Sequence, residues 1–188
     1  MPRIDGVPPK NANPLLKLLY WFAKKKFGAV PEPMTVAAHH PKLLMASATH
    51  ELMTPNTTGA LGELVQYRTA VRLGCEWCID FGAMLQKHAG LDIDRLKEID
   101  DYATSDKYTD TERLALKLAD AMTATPPTVT DDLIHQLETG LGRKKLVELT
   151  YLIALENSRA RFNTAFGITD QGFLTACAVA PNNLDSMR

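Results

Sequence analysis

The sequence predicts an all-α fold, a bundle of amphipathic helices. Apolar residues recur with helical spacing along nearly the whole chain, and the alternating Val, Ile and Thr runs typical of strands are absent. Most glycines and prolines lie between the periodic segments, where they end helices. With 188 residues and 45% apolar content, the chain can bury a core without disulfide staples, so we expect a single all-helical domain over 1–188.

The predicted elements follow this periodicity in chain order. Residues 1–13 carry three prolines and predict an extended lead-in. Pro31 and Pro33 predict a loop after the first helix. Helices are predicted over 15–27, 41–50, 60–73, 75–88, 92–103, 110–122, 131–138 and 143–165.

Helix-end residues support these limits. Several glycines directly follow a periodic segment, where glycine readily takes the left-handed conformation of a helix end. They are Gly28, Gly74, Gly90 and Gly167. Thr109 precedes Glu112 by three positions, which is the spacing of a capping box. The middle of the last helix, 146–155, is apolar on most faces and is expected to lie deep in the core.

The charge balance limits the classes of partner. Lys and Arg number 21 and Asp and Glu number 22, a formal net charge of −1. Nucleic-acid binding needs a basic excess on some face, so we expect no nucleic-acid partner. The uninterrupted apolar stretch near the N-terminus, 18–23, is too short for a signal peptide or a membrane span. We therefore expect a cytoplasmic protein without a membrane partner.

The chain has three cysteines, Cys75, Cys78 and Cys177, too few and odd in number for a disulfide scaffold. Cys75 and Cys78 follow Gly74 and so occupy the first turn of the next helix, where unpaired N–H groups favour a thiolate. Positions i and i+3 share a helical face, so the two sulfurs can form a disulfide. The pair predicts dithiol–disulfide chemistry, and Cys177 is expected to be a small buried residue.

Other interpretations of the pair are a half zinc site, a haem attachment and two buried structural cysteines. Zinc needs four ligands, and no second Cys-x-x-Cys or His-x-x-x-His is present, although Cys177 and scattered histidines remain as donors. Haem attachment needs His directly after the second cysteine, where Ile79 stands. The thioredoxin motif follows a strand, whereas here a helix precedes the pair. We expect neither a metal nor another cofactor.

A longer pattern surrounds the cysteines. Glu63 is followed by eleven residues and then by Cys75 and Cys78, within GELVQYRTAVRLGCEWCIDFGAMLQKHAG. This pattern resembles the alkyl hydroperoxidase D-like, carboxymuconolactone decarboxylase family. A later stretch, ALENSRARFNTAFGI, is similar to the long closing helix of that family. The resemblance covers roughly residues 40–170 and implies an alkyl hydroperoxidase D-like helical bundle with Cys-x-x-Cys at a helix N-terminus.

The resemblance also implies an activity and its residues. Cys78 would attack a hydroperoxide to give a sulfenic acid, Cys75 would resolve it as a disulfide, and Glu63 would be the acid/base end of a proton relay. A partner protein or thiol would then reduce the disulfide. The family commonly forms homo-oligomers, so a dimer, trimer or hexamer is expected.

This chain departs from the family pattern at Gly82, where peroxidases carry a histidine four residues after the second cysteine, and at Trp77, a second histidine in some members. His88 lies ten residues beyond Cys78, about 15 Å along a helix, and cannot substitute. Tyr67 is the candidate for a replacement relay, because it shares a helical face with Glu63. Gly82 either leaves space for a bulky substrate or allows close helix packing.

Two alternative functions remain at the level of sequence. One is a lactone decarboxylase, which the family name suggests but which has no need of a redox pair. The other is a non-catalytic helical oligomer whose cysteines respond to oxidation. On the last helix, Asn157, Arg159 and Arg161 could bind an anionic substrate or form an interface.

Overall fold

The computed structural model describes residues 2–176, and this part of the chain contains no β-strand. The prediction of an all-α fold is confirmed. The helices are α1 (Pro14–Phe27), α2 (Glu32–Ala37), α3 (Pro41–Met53), α4 (Ala60–Leu73), α5 (Glu76–His88), α6 (Asp110–Thr123), α7 (Asp131–Leu141), α8 (Arg143–Phe166) and α9 (Phe173–Ala176). Short 3-10 helices span Pro9–Asn11 and Asp94–Asp101.

Local sequence accounts for most helix ends. The Asn13 side chain accepts a hydrogen bond from the Leu16 N–H at 2.9 Å and so caps α1. Thr109 and Glu112 form the predicted capping box at the start of α6. At Gly74 the chain leaves α4 in the left-handed conformation, with φ of 63°, and turns directly into α5.

α4 is the central helix of the bundle, since it packs against α5, α6 and α8. Its apolar residues Leu64 and Val65 are fully buried. On α8, the fully buried Leu149 and Ile153 lie on the side that faces the core. The α4–α5 turn therefore sits beside the second half of α8, and this contact builds the site described below.

Three segments differ from the secondary structure that the sequence predicts. Pro31 and Pro33 do not enforce a loop; α2 begins there, because proline is also well suited to the first helical turn. Helix α7 continues through Gly140 to Leu141. The segment predicted over 92–103 is a 3-10 helix with a kink at Glu98.

The middle of α8 is less buried than predicted. Val147 and Tyr151 are exposed on the side of the helix away from the core. In the described residues, 2–176, no helix has the length and apolar content that a membrane crossing requires.

Candidate active site

Cys75 and Cys78 form a disulfide at the start of α5, with their Cα atoms 5.3 Å apart. Cys75 is the N-cap residue of the helix, and the backbone N–H of Cys78 donates to the Cys75 sulfur over 3.3 Å. The Cys75 N–H donates to the carbonyl oxygen of Ala70 at 3.0 Å, which fixes the turn at Gly74. The predicted place of the pair at a helix N-terminus is confirmed.

Both cysteines are buried, with exposed fractions of 2% for Cys75 and 7% for Cys78. Three aromatic side chains, here named the aromatic cover, pack in one apolar cluster with the two cysteines. The Trp77 ring stacks on Phe81 with centroids 4.6 Å apart, and Phe173 meets Phe81 edge-on at 5.2 Å. A thiolate at this site is therefore shielded from water and depends on protein N–H donors for its stabilisation.

Residues 170–174, here named the strap, hold this aromatic cover in place. Asp80 on α5 accepts hydrogen bonds from the backbone N–H groups of Gln171, Phe173 and Leu174 at 3.2, 2.8 and 2.9 Å. The Trp77 indole N–H donates to Gln171 Oε1 at 2.6 Å. Asp80 thus fastens the strap over the helix that carries the cysteines.

Asn163 on α8 is the polar side chain that contacts both sulfurs. Its amide nitrogen lies 3.4 Å from Cys78 Sγ and 3.7 Å from Cys75 Sγ, and the residue is 1% exposed. Within the described part of the chain, no other side chain donates a hydrogen bond to these sulfurs.

Glu63 on α4 is engaged by a residue of the loop before that helix. Its carboxylate accepts from the Asn56 amide at 3.1 Å, and across residues 2–176 no hydrogen bond joins it to Cys75 or Cys78. Burial raises the pKa of Glu63, while the nearby Arg159 cation lowers it.

A second buried carboxylate, Glu156 on α8, was not identified from the sequence. Burial raises its pKa to about 7, against the opposing charge of Arg159. Arg159 donates to Glu156 Oε2 at 3.0 Å and to Gln66 Oε1 at 2.7 Å, and it also forms an ion pair with Glu51. Because the charges of Glu51 and Glu63 also raise the pKa of Glu156, this cluster can hold a proton near neutral pH.

Comparison with known proteins places this geometry in a family. The model of the carboxymuconolactone decarboxylase family matches residues 39–121. The uncharacterized protein YnjA of Escherichia coli (strain K12) is 32% identical over 172 residues, which cover 89% of this chain and 94% of YnjA. The chain belongs to the carboxymuconolactone decarboxylase family.

Solved structures support the alkyl hydroperoxidase D-like form of this family's fold. The debrominase Bmp8 superposes with a TM-score of 0.75 at 18% identity, covering 93% of this chain and 95% of Bmp8. A peroxidase-related protein with an alkylhydroperoxidase AhpD core, from Ralstonia eutropha JMP134, gives a TM-score of 0.76 at 16% identity and covers 92% and 94% of the two chains. At these identities the likeness concerns the fold.

Gly82, where the resemblance implies a histidine, is half-buried on α5. A Cβ added to Gly82 would lie 3.5 Å from Cδ2 of Tyr67, an ordinary van der Waals contact. Position 82 therefore has room for a methyl group beside the Tyr67 ring, so close packing does not require glycine there. No hydrogen bond joins Tyr67 to Glu63 among the described residues, and burial raises the pKa of the Tyr67 hydroxyl.

A shallow depression of about 440 Å³ lies between the end of α4 and the second half of α8. Its lining residues are Leu73, Ala160, Arg161, Thr164 and Ala165. Leu73 and Ala160 pack in the same apolar cluster as the two cysteines. The depression therefore borders the apolar cluster that contains the disulfide, while neither cysteine lines it.

Glu156 and Asn163, which the sequence did not single out, lie on one buried stripe of α8. Along α8, the buried positions Leu149, Ile153, Glu156, Ala160 and Asn163 follow one another at steps of four and three. Two polar residues on such a stripe face the core rather than solvent. Of the polar residues that the sequence did single out, Arg159 lies in the carboxylate cluster, whereas Asn157 bonds to Thr123 and the Ile153 carbonyl. Cys177 lies outside the described residues.

Proposed function

We propose that this protein is a dithiol oxidoreductase that reduces hydroperoxides through Cys78 and Cys75. The observation that carries the proposal is the closed pair of buried sulfurs at the N-terminus of α5, with N–H donors directed at both. Membership of a family whose fold is shared with peroxidase-related proteins supports it. The reaction needs no cofactor.

The proposed cycle has three steps. The Cys78 thiolate attacks the distal oxygen of a hydroperoxide, so that an S–O bond forms, the O–O bond breaks, and the alkoxide takes a proton to leave as an alcohol. The Cys75 thiolate then attacks the Cys78 sulfenic acid, which forms the disulfide and releases water after proton transfer. Two thiols of an external reductant, or one dithiol, return the pair to its reduced state by exchange.

Glu63 is proposed as the acid/base end of the proton relay, now together with Glu156. Because burial raises the pKa of both carboxyls, they are able to supply a proton to a leaving alkoxide. Along α8, Glu156 is seven residues from Asn163, about 10 Å, so this carboxylate lies two turns from the residue that contacts the sulfurs. This distance calls for an intervening group such as water.

The experiment counts disulfides and turnover in a Cys177→Ser background, where the pair is the only source of thiols. We expect hydroperoxide to form one Cys75–Cys78 disulfide per chain, and a dithiol reductant to sustain turnover. Cys78→Ser should abolish hydroperoxide consumption, whereas Cys75→Ser should leave a sulfenic acid that dimedone traps. Two free thiols after peroxide treatment would overturn the proposal.

A second candidate activity is reductive dehalogenation by the same dithiol. Bmp8 is a debrominase, and a variant of Bmp8 was solved in complex with 2,3,4-tribromopyrrole. The aromatic group of Trp77, Phe81 and Phe173 beside the sulfurs favours a flat apolar substrate. In that reaction a thiolate takes the halogen, a proton replaces it on the ring, and the second thiolate displaces halide as the disulfide forms. Release of bromide from a bromopyrrole, with no peroxide consumption, would favour this activity.

The family alternatives give different outcomes in these assays. A lactone decarboxylase would turn over a γ-lactone with both Cys75 and Cys78 replaced by serine. A non-catalytic redox responder would form the disulfide once, without turnover in the presence of a dithiol reductant. We also propose the cytoplasm as the site of action, where the thiol pool can reduce the pair.

Self-association is also proposed, because α1 presents an exposed apolar face. Leu15, Leu18 and Trp21 are 48%, 60% and 59% exposed and lie about one turn apart. Their burial against a second copy of the chain would remove this surface from water. The mass in solution, measured by light scattering, should exceed one chain and fall to one chain in Leu18→Glu; a single-chain mass for the unmodified protein would refute the proposal.

A further inference from the structure

The amide nitrogen of Asn163 lies within hydrogen-bonding distance of both sulfurs. Its single nitrogen, with two N–H bonds, lies 3.4 Å from Cys78 Sγ and 3.7 Å from Cys75 Sγ. An amide of this kind can donate one N–H to each sulfur. A neutral disulfide sulfur is a weak acceptor, so these hydrogen bonds gain most of their strength when a sulfur becomes a thiolate.

Negative charge moves between the two sulfurs during any dithiol–disulfide cycle. When an incoming thiolate attacks one sulfur of the disulfide, the S–S bond breaks and the other sulfur leaves as a thiolate. When the reduced pair attacks an oxidant, the attacking sulfur is the thiolate. A donor within reach of both sulfurs stabilises the charge at either stage.

Given the dithiol chemistry proposed above, we propose that Asn163 is a catalytic residue whose amide stabilises negative charge on either sulfur. Gly82, which carries no side chain, stands one turn beyond Cys78, where the resemblance implies a histidine. Unlike histidine, an amide neither takes up nor releases a proton in the physiological range. Asn163 therefore stabilises the thiolate without acting as its base.

The charged groups on the surrounding helices are engaged elsewhere. Asp80 on α5 holds the strap, Glu63 on α4 accepts from Asn56, and Arg159 on α8 binds Glu51 and Glu156. Glu76, in the first turn of α5, is exposed. None of these side chains hydrogen-bonds to Cys75 or Cys78 in the described part of the chain.

The two thiols should depend on Asn163 to different degrees. Cys75 also receives the backbone N–H of Cys78 over 3.3 Å, as expected for an N-cap residue. For Cys78, Asn163 is the donor that the described residues provide. Removal of the amide should therefore raise the pKa of the Cys78 thiol more than that of Cys75, whereas simple loosening of the core would not discriminate between them.

The experiment measures the rate of iodoacetamide alkylation against pH for each reduced thiol, by mass spectrometry of the full chain carrying Cys177→Ser. Cys75→Ser isolates Cys78, and Cys78→Ser isolates Cys75. In Asn163→Leu, which has nearly the same shape but no donor, we expect the midpoint for Cys78 to rise by about one pH unit. Alkylation of Cys78 at neutral pH should then be about tenfold slower, with a smaller change at Cys75.

Asn157→Leu is the matched control, because Asn157 lies on the same helix and donates to Thr123 and the Ile153 carbonyl instead of to sulfur. Its midpoints should equal those of the parent. Asn163→Asp replaces the donor by an acceptor of the same size, and a charged carboxylate there should raise the Cys78 midpoint further. It also decides the question if circular dichroism shows that Asn163→Leu does not fold.

An unchanged Cys78 midpoint in whichever of these two variants folds would overturn the role of Asn163. The readout does not involve a hydroperoxide. A raised midpoint without peroxide-dependent disulfide formation would therefore retain the thiolate donor and reject the proposed peroxidase.

Discussion

The Glu156 carboxylate accepts a hydrogen bond from Arg159 at 3.0 Å, less than one helical turn along α8, yet its pKa is raised to about 7. Burial dominates because the carboxylate is almost entirely removed from water, and Arg159 divides its charge between Glu156 and Glu51. The protonated form of Glu156 is therefore the form that folding favours.

This relationship predicts how stability changes with pH. The folded protein holds a proton at Glu156 up to about pH 7, whereas the unfolded chain releases it near 4.5, the ordinary value. Between these values the folded state binds more protons, so the contribution of Glu156 is fully present below pH 4.5 and is lost as the pH rises through 7. The loss amounts to about 3 kcal/mol of the free energy of unfolding.

Urea denaturation from pH 4.5 to 8 tests this prediction. Glu156→Gln retains an oxygen acceptor for Arg159 and cannot ionise, so its stability should fall less with pH and should exceed that of the parent at pH 8. A parallel decline in the parent and in Glu156→Gln would contradict the prediction.

A pair of glycine substitutions separates packing from backbone conformation at the site. Gly82 lies inside α5, and a Cβ there would rest 3.5 Å from Tyr67, so Gly82→Ala should raise the free energy of unfolding by about 1 kcal/mol through helix propensity. Gly74 has a φ of 63°, so Gly74→Ala should lower it by about 1 kcal/mol although nothing lies within 4 Å of the added Cβ. In thermal unfolding, the melting temperature should rise in Gly82→Ala and fall in Gly74→Ala. A lower melting temperature in Gly82→Ala would mean that Tyr67 cannot accommodate the methyl group.

Local signals in the sequence predicted the helices and the turn at Gly74, because caps and glycine conformations act over a few residues. They therefore also predicted the placement of Cys75 at the start of a helix. Pro31 misled for the same reason, since proline precedes or opens a helix as readily as it forms a loop. Such signals are ambiguous where one residue type serves two local structures.

Asn163 and Glu156 could not be assigned to the site from local signals. They reach the cysteines and Glu63 through the packing of α8 against α4 and α5, which brings together residues some 90 positions apart. Their place on the buried stripe of α8 indicated burial but not what they would contact. The resemblance suggested a role for Glu63, whereas Asn163 lies in the second stretch that resembles the family and no role followed from it.

The carboxylate relay predicts a loss of turnover in Glu63→Gln. If Glu63 supplies a proton to the leaving alkoxide, the amide variant should reduce hydroperoxide turnover by about 100-fold. Since burial raises the pKa of Glu63, its protonated form persists above the ordinary range of a carboxyl and is lost as the pH rises further. The descending alkaline limb of the pH–rate profile should accordingly disappear in Glu63→Gln.

Glu138→Gln is the control for this measurement, because Glu138 is a carboxylate on α7 that pairs with Arg143 away from the sulfurs. Its turnover and pH profile should match those of the parent. Full turnover in Glu63→Gln would exclude Glu63 from the relay and leave Glu156 as the remaining buried carboxylate of the cluster.

The strap provides the last prediction, which concerns access to the sulfurs. Asp80 accepts three backbone N–H groups from the strap, and charge-assisted bonds of this kind each contribute about 1.5–3 kcal/mol. Asp80→Ala should release the strap from α5 and uncover Trp77, because Gln171, which receives the indole N–H, belongs to the strap.

In a Trp21→Phe background, where Trp77 is the remaining tryptophan, its emission should shift to the red and be quenched by iodide. Asp170→Asn, an exposed acid of the same segment, should leave the emission unchanged. Because the aromatic side chains pack in the same apolar cluster as the disulfide, Asp80→Ala should also speed its reduction by a small thiol. A red shift with an unchanged rate of reduction would show that the strap does not control access to the sulfurs.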